Sequence, residues 1–148
     1  MARGNVLLEV IRDGRIIDTR EIRNLVVNGG LAWCAGALSG DVASPETMKY
    51  IEVGTGTVDP AATDTALGTP VETRATGTQS RITVTTTNDT YQAVGTITAT
   101  AARALTECGL FSAAAAGTML ARTEFAVINL AEADSIQVTW KITFSRAA

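Results

Sequence analysis

The segment Asp134–Phe144 (DSIQVTWKITF) alternates without a break. Ile136, Val138, Trp140, Ile142 and Phe144 fall on one side, and Ser135, Gln137, Thr139, Lys141 and Thr143 on the other. Successive strand side chains point to opposite faces, so this period of two reads as an antiparallel strand with one dry face. At about 3.3 Å per residue it spans roughly 35 Å. A dry face of that length carrying a Trp needs a second sheet to cover it.

The rest of the chain supplies such a sheet. Asn5–Arg12 and Arg15–Arg23 flank Asp13-Gly14, the strongest short signal for a hairpin, because both central residues of a type I′ turn need positive φ. Met48–Val53, Val71–Arg74, Arg81–Thr87, Tyr91–Thr100, Leu105–Ser112 and Thr118–Phe125 read as further strands, with Asn88-Asp89 as a turn and a connector near Ile128–Ala131. Short strands with frequent turn signals predict a mainly-β chain, an antiparallel β-sandwich of jelly-roll or Ig-like type. Its core is expected to set the Trp140 row against Ile82, Val84, Ile97 and Phe111 or Leu110. Only one helix is expected, over residues 29–38, behind Asn28 as N-cap and ended by Ser39-Gly40. Leu31, Cys34, Ala35 and Leu38 share one helical stripe there, and Trp33 lies off it. A helix apolar on several faces is either buried or covered by a second chain.

The length of 148 residues suits a single domain over the whole chain, 1–148. With 46% hydrophobic and 18% charged residues the chain is not a disordered one. Its apolar runs are too short for a membrane span, and Val6–Ile11 is too short for a signal peptide and broken by Glu9. A net charge of −3 gives no general attraction to nucleic acid. No histidine occurs, which removes Ser–His and Cys–His nucleophiles and most catalytic zinc sites. Cys34 and Cys108 form no CxxC motif. They read as free thiols acting as small apolar residues, or as a pair if folding brings their Cα atoms within about 7 Å.

Three features invite chemistry. Gly54-x-Gly56 opens the stretch GTGTVDPAATDTALGTP, but neither a third glycine at dinucleotide spacing nor a Gly-Lys-Ser/Thr follows. Turn chemistry accounts for it, with one helical turn expected at Asp64–Leu67. Asp59 and Asp64 lack the spacing of a calcium loop. Glu107 stands inside the apolar run around Leu105, Cys108, Leu110 and Phe111. It reads as a carboxylate paired with Arg103 or Arg122, or as a general acid with raised pKa. Neither metal nor cofactor is expected. Candidate partner-docking residues are Arg12, Arg15, Arg20 and Arg23 of the N-terminal hairpin (1–24), with Leu31 and Trp33 of the helix; interleaved Glu9, Asp13, Asp18 and Glu21 also allow a plain solvated hairpin face.

The order NLVVNGGL, YIEVGTGTVDPAATDTALGTPV, TECGLFSAAAAGTMLARTEF, DSIQVTWKITF resembles a group of small tailed-bacteriophage structural proteins, found as free virion proteins and as head-proximal parts of tail fibres. The resemblance covers nearly the whole chain. It implies a non-enzymatic virion part, made in the host bacterial cytoplasm, and brings no catalytic or ligand residues. Without a collagen-like repeat or heptad shaft, a compact knob on a shell is expected: a capsid decoration (cement) protein, trimeric, bound to the major capsid protein. A tail or tail-fibre attachment subunit is the alternative, and a carbohydrate-binding sandwich using Trp33 and Tyr50 is a third reading.

Overall fold

Asp13 and Gly14 both take positive φ, 49° and 74°, so the expected tight turn closes the hairpin of β1 (Ala2–Arg12) and β2 (Arg15–Val26). The computed structural model describes residues 2–146. Among them follow α1 (Asn28–Ser39), a 3-10 turn at Pro45–Thr47, β3 (Tyr50–Gly54), β4 (Pro70–Thr76), β5 (Thr78–Ile82), β6 (Thr90–Thr98), β7 (Arg103–Phe111), β8 (Met119–Leu130) and β9 (Ser135–Phe144). The strands pair antiparallel in the order β4-β3-β7-β8-β2-β1-β9-β6-β5.

That single run of strands doubles over itself. β2 meets β8 only at Leu25–Arg122 and Val26–Ala121. One layer is therefore β5-β6-β9-β1-β2, and the other is β8-β7-β3-β4. The two outermost strands, β4 and β5, are joined by the single residue Gly77, whose N–H donates to the Lys49 carbonyl at 2.8 Å. A Cβ there would stand 2.9 Å from that same oxygen, so only glycine turns this corner without displacing it. The result is an antiparallel β-sandwich closed on one side by pairing and on the other by a one-residue corner.

The core lies between the layers. Ile136, Val138, Trp140 and Ile142 of β9 are buried, as the alternation requires. In register, Trp140 is flanked by Val6 on β1 and Ala93 on β6. Ile51, Val53, Leu105, Leu110, Leu120 and Phe125 are buried in the same cluster. Each fully buried aliphatic side chain contributes about 1.5–3 kcal/mol relative to exposure. Ile97 and Phe111 are buried as expected, Phe111 in a smaller cluster with Val27, Leu67 and Met119.

Several expectations need correction. Val84 is 58% exposed and Phe144 50% exposed, and Ile82 is only half-buried, so these are not core residues. β5 ends at Ile82 because the Asp89 carboxylate captures the amides of Val84, Thr85 and Thr86, curling 83–89 into a loop. Phe144 ends β9 beyond the covering layer. β8 runs on to Leu130, with Ile128 and Leu130 buried where a connector was expected. No helical turn forms at 64–67; the Asp64 carboxylate instead accepts the Ala61 amide. Asn28 is not the cap of α1 but its first residue: Val27 is the N-cap, and the Asn28 N–H donates to the Ala62 carbonyl at 2.8 Å. Gly40, at φ 81°, ends the helix as expected.

Candidate docking face

The helix sits by a face different from the expected one. Gly30 is buried, and a Cβ on it would stand 2.8 Å from the Leu120 Cα. Glycine lets α1 lie directly on the β8 backbone. This places Gly30, Trp33, Cys34 and Ala37 inward, one helical stripe, and turns Leu31, Ala35 and Leu38 outward. Leu38 is 92% exposed and Leu31 52%.

Two hollows flank α1 and the end of β9. The first, about 380 Å³, is lined by Trp33, Cys34, Ala37, Leu38, Pro45, Met48, Tyr91, Leu120, Ile142 and Phe144. The Tyr91 hydroxyl is used within the fold, donating to the Met48 carbonyl. Burial pushes that hydroxyl up to about 12, against the smaller lowering effect of Gln79. Burial also raises the Cys34 thiol. Neither group releases a proton near neutral pH, so this hollow offers apolar surface rather than acid–base chemistry. The second, about 720 Å³, opens between the start of β1, the end of β2, α1 and the 83–89 loop, and includes Arg3, Arg23, Leu25, Leu31 and Val84.

Of the nine exposed large hydrophobic side chains among the described residues, five line these two hollows: Leu25, Leu31, Leu38, Val84 and Phe144. Apolar side chains scattered singly need no explanation, whereas a cluster at one end marks an interaction surface.

The expected docking residues divide. Arg23 and Leu31 share the larger hollow and Trp33 lines the smaller one. Arg12 and Arg15 lie at the hairpin tip, eight or more residues along β2 from Arg23, on the order of 26 Å away. Arg12 pairs there with Asp134 at 2.6 Å. Arg20 is a brace: it pairs with Asp18 at 3.1 Å and donates to the carbonyls of Ala126 and Val127, where β2 and β8 diverge. Leu25, Val84 and Phe144 were not among the candidates, whereas Leu38 ends the 29–38 helix that was expected to dock. Gly29-Gly30 was the available sign, since it marks the side on which the helix is seated.

Glu107 is resolved by geometry. Fully buried, it takes the amides of Gly56 (2.9 Å), Gly68 (3.0 Å) and Thr69 (2.8 Å) and two donors of Arg122, Nε at 3.2 Å and Nη2 at 2.8 Å. Arg122 also binds Asp64 at 2.6 Å and the Val58 carbonyl at 2.9 Å. Burial alone would raise the Glu107 carboxyl, but the amides of Thr69 and Gly68, the Arg122 guanidinium and the Gly56 amide together hold it below its ordinary value. Of the two readings, the pair with Arg122 stands, and a raised-pKa acid does not. The glycine pair also finds its reason: a Cβ on Gly56 would stand 2.8 Å from the Glu107 carboxyl carbon, and one on Gly54 2.6 Å from the Thr69 carbonyl. The loop wraps an internal anion with its amides. Arg103 pairs instead with Glu72. Cys34 and Cys108 are both free thiols.

Among the described residues no group of His, Cys, Asp or Glu is placed to hold a metal ion, and no helix is long and apolar enough to cross a membrane. No family model, curated protein or solved structure compared with the chain matches it.

Proposed function

We propose that this chain is a non-enzymatic bacteriophage virion protein, a capsid decoration (cement) protein that binds an assembled shell through its α1 end and associates with copies of itself. The observation that carries the reading is the gathering of exposed apolar side chains at that end, above all Leu38 and Phe144 beside an apolar hollow. A surface of this kind is stable in water only at a cost, which contact with a partner relieves. The resemblance of the sequence to small phage structural proteins supplies the class of partner. A ligand that binds only the assembled shell stabilises it by RT ln(1 + [L]/Kd), about 2.7 kcal/mol at a hundredfold excess over Kd.

The carbohydrate-binding reading loses its platform. Trp33 is half-buried in the apolar hollow, while Tyr50 is half-buried against the Val27–Phe111 cluster.

The test is imaging of particles with and without this gene product, together with rebinding of the purified protein to bare shells. Density on the shell, and shells that resist heat better once the protein is added, are the expected results. Density confined to the tail would transfer the reading to a tail attachment subunit. Identical particles and no rebinding would end it.

A further inference from the structure

The larger hollow and a distant part of the same chain are complementary in charge and in apolar content. Arg23, Arg3, Leu25, Leu31 and Val84 line the hollow, and no carboxylate is among its described lining residues, although the Glu21 carboxylate accepts from the lining Asn5 amide beside it. Lys141 extends the cationic side: Arg23, Asn5 and Lys141 are one cross-strand row of β2, β1 and β9. The complementary feature is the crest of the 55–69 loop. Val58 is 70% exposed and followed by exposed Asp59 and by Pro60, so a large apolar side chain stands beside a carboxylate.

We propose that the hollow receives Val58 and Asp59 from a second copy of this chain, with Val58 against Leu25, Leu31 and Val84 and Asp59 against Arg23. This deepens the self-association part of the function proposed above and rests on it. The crest is held ready for contact. Arg122 fixes the Val58 carbonyl, and the Glu107 carboxylate ties down both ends of the loop. A preorganised segment loses little conformational freedom on binding. The loop touches the first residue of α1 through Ala62 and Asn28, and Leu31 lies less than one turn further on. Donor crest and acceptor hollow are thus on adjoining flanks of the molecule rather than at opposite ends. A contact between two different patches builds a closed ring when its rotation closes and an open filament when it does not, and patches on adjoining flanks turn successive copies sharply enough for a small ring to close. The net charge of −3 makes copies repel at a distance, so a local pair of opposite sign is what allows close approach.

The experiment is sedimentation of the full chain over a range of concentrations at low and moderate salt, with the variants Arg23→Glu, Asp59→Arg and the double variant. Both positions are on the surface, and equal melting curves check that each variant is folded. The expected result is a concentration-dependent closed oligomer, weakened about tenfold or more by either single reversal and by salt, and regained in the double variant. A wild type that stays monomeric, single variants that associate normally, or a double variant that stays apart overturns the proposal. A monomer that still binds shells leaves shell docking standing. Intact rings that ignore shells overturn shell docking alone.

Discussion

Glu107→Gln keeps the shape of the buried side chain and changes only its charge and one hydrogen-bonding atom. In the fold, Oε1 accepts from Gly56 and Thr69, and Oε2 from Gly68 and both Arg122 donors. A glutamine must place its NH2 at one of these two positions. At the first it faces two amide donors. At the second it faces one amide and a guanidinium. Either way two or more buried donors lose their acceptor, at about 1–3 kcal/mol each. Removing one partner of a buried ion pair costs about 3–5 kcal/mol by itself. The two estimates describe the same loss and overlap near 3–5 kcal/mol. For a chain of this size about 2–4 °C of melting temperature follows each kcal/mol, so the variant should melt roughly 6–20 °C lower. Thermal and urea unfolding followed by circular dichroism measure it. Amide exchange adds a local readout: the N–H groups of Gly56, Gly68 and Thr69 should exchange faster in the folded variant. A loss under about 1 kcal/mol with those amides still protected would refute the claim that the carboxylate organises the loop.

Gly56→Ala should destabilise by about 1–3 kcal/mol, because its Cβ meets a carboxyl group fixed by five donors and unable to move aside; chemical denaturation checks it. Trp140→Ala should cost about 3–5 kcal/mol through the cavity it leaves. Trp140→Phe should cost much less, since it fills most of that space and removes a buried indole N–H that has no partner; equal losses for the two would refute the claim that the lost ring volume sets the cost. Acid should unfold the protein in a defined window. Arg12 and the Ala131 amide hold the Asp134 carboxyl down at about 2, and the carboxyls of Glu107, Asp64 and Glu72 also lie below their ordinary values. A depressed carboxyl stabilises fully above its unfolded value, near 4, and that stabilisation disappears as pH falls through the folded value. Melting temperature should hold level from pH 7 to about 5 and drop between about 4 and 2. A curve level down to pH 2 would contradict the pairing described.

Local patterns in the sequence carried much of the fold. Period-two alternation located β9, and Asp-Gly located the first turn, because both signals are complete within a few residues. Where the alternation outran its covering layer it misled, placing Phe144 in the core when that residue is half-exposed at the strand end. For α1 the pattern was degenerate. A helix without a charged residue has no wet side to mark, and the seat was decided by Gly30 against Leu120, a contact ninety residues away in sequence. The Gly54-x-Gly56 pair was equally opaque, because the anion it wraps comes from β7. One sign of that partnership was visible: a carboxylate inside an apolar run must find donors, and Arg122 was one of the two arginines considered.

The buried pair connects stability to assembly. An ion pair in a core is weak evidence for net stability, since desolvation offsets much of its attraction. What Arg122 and Glu107 demonstrably do is tie the 55–69 loop at Gly56, Val58, Asp64, Gly68 and Thr69. If the Val58–Asp59 crest is the donor in self-association, loosening the loop must weaken association without touching the contact itself. Ordering a freed loop costs on the order of 0.5–1.5 kcal/mol per immobilised side chain. Glu107→Gln, studied well below its melting temperature, should therefore sediment as a weaker oligomer by about tenfold, with Arg23 and Asp59 intact. Arg20→Ala removes a brace elsewhere and should lower the melting temperature while leaving association unchanged. Equal association in the Glu107 variant and the wild type would mean that the crest is ordered without its anchor, or that it takes no part in the contact.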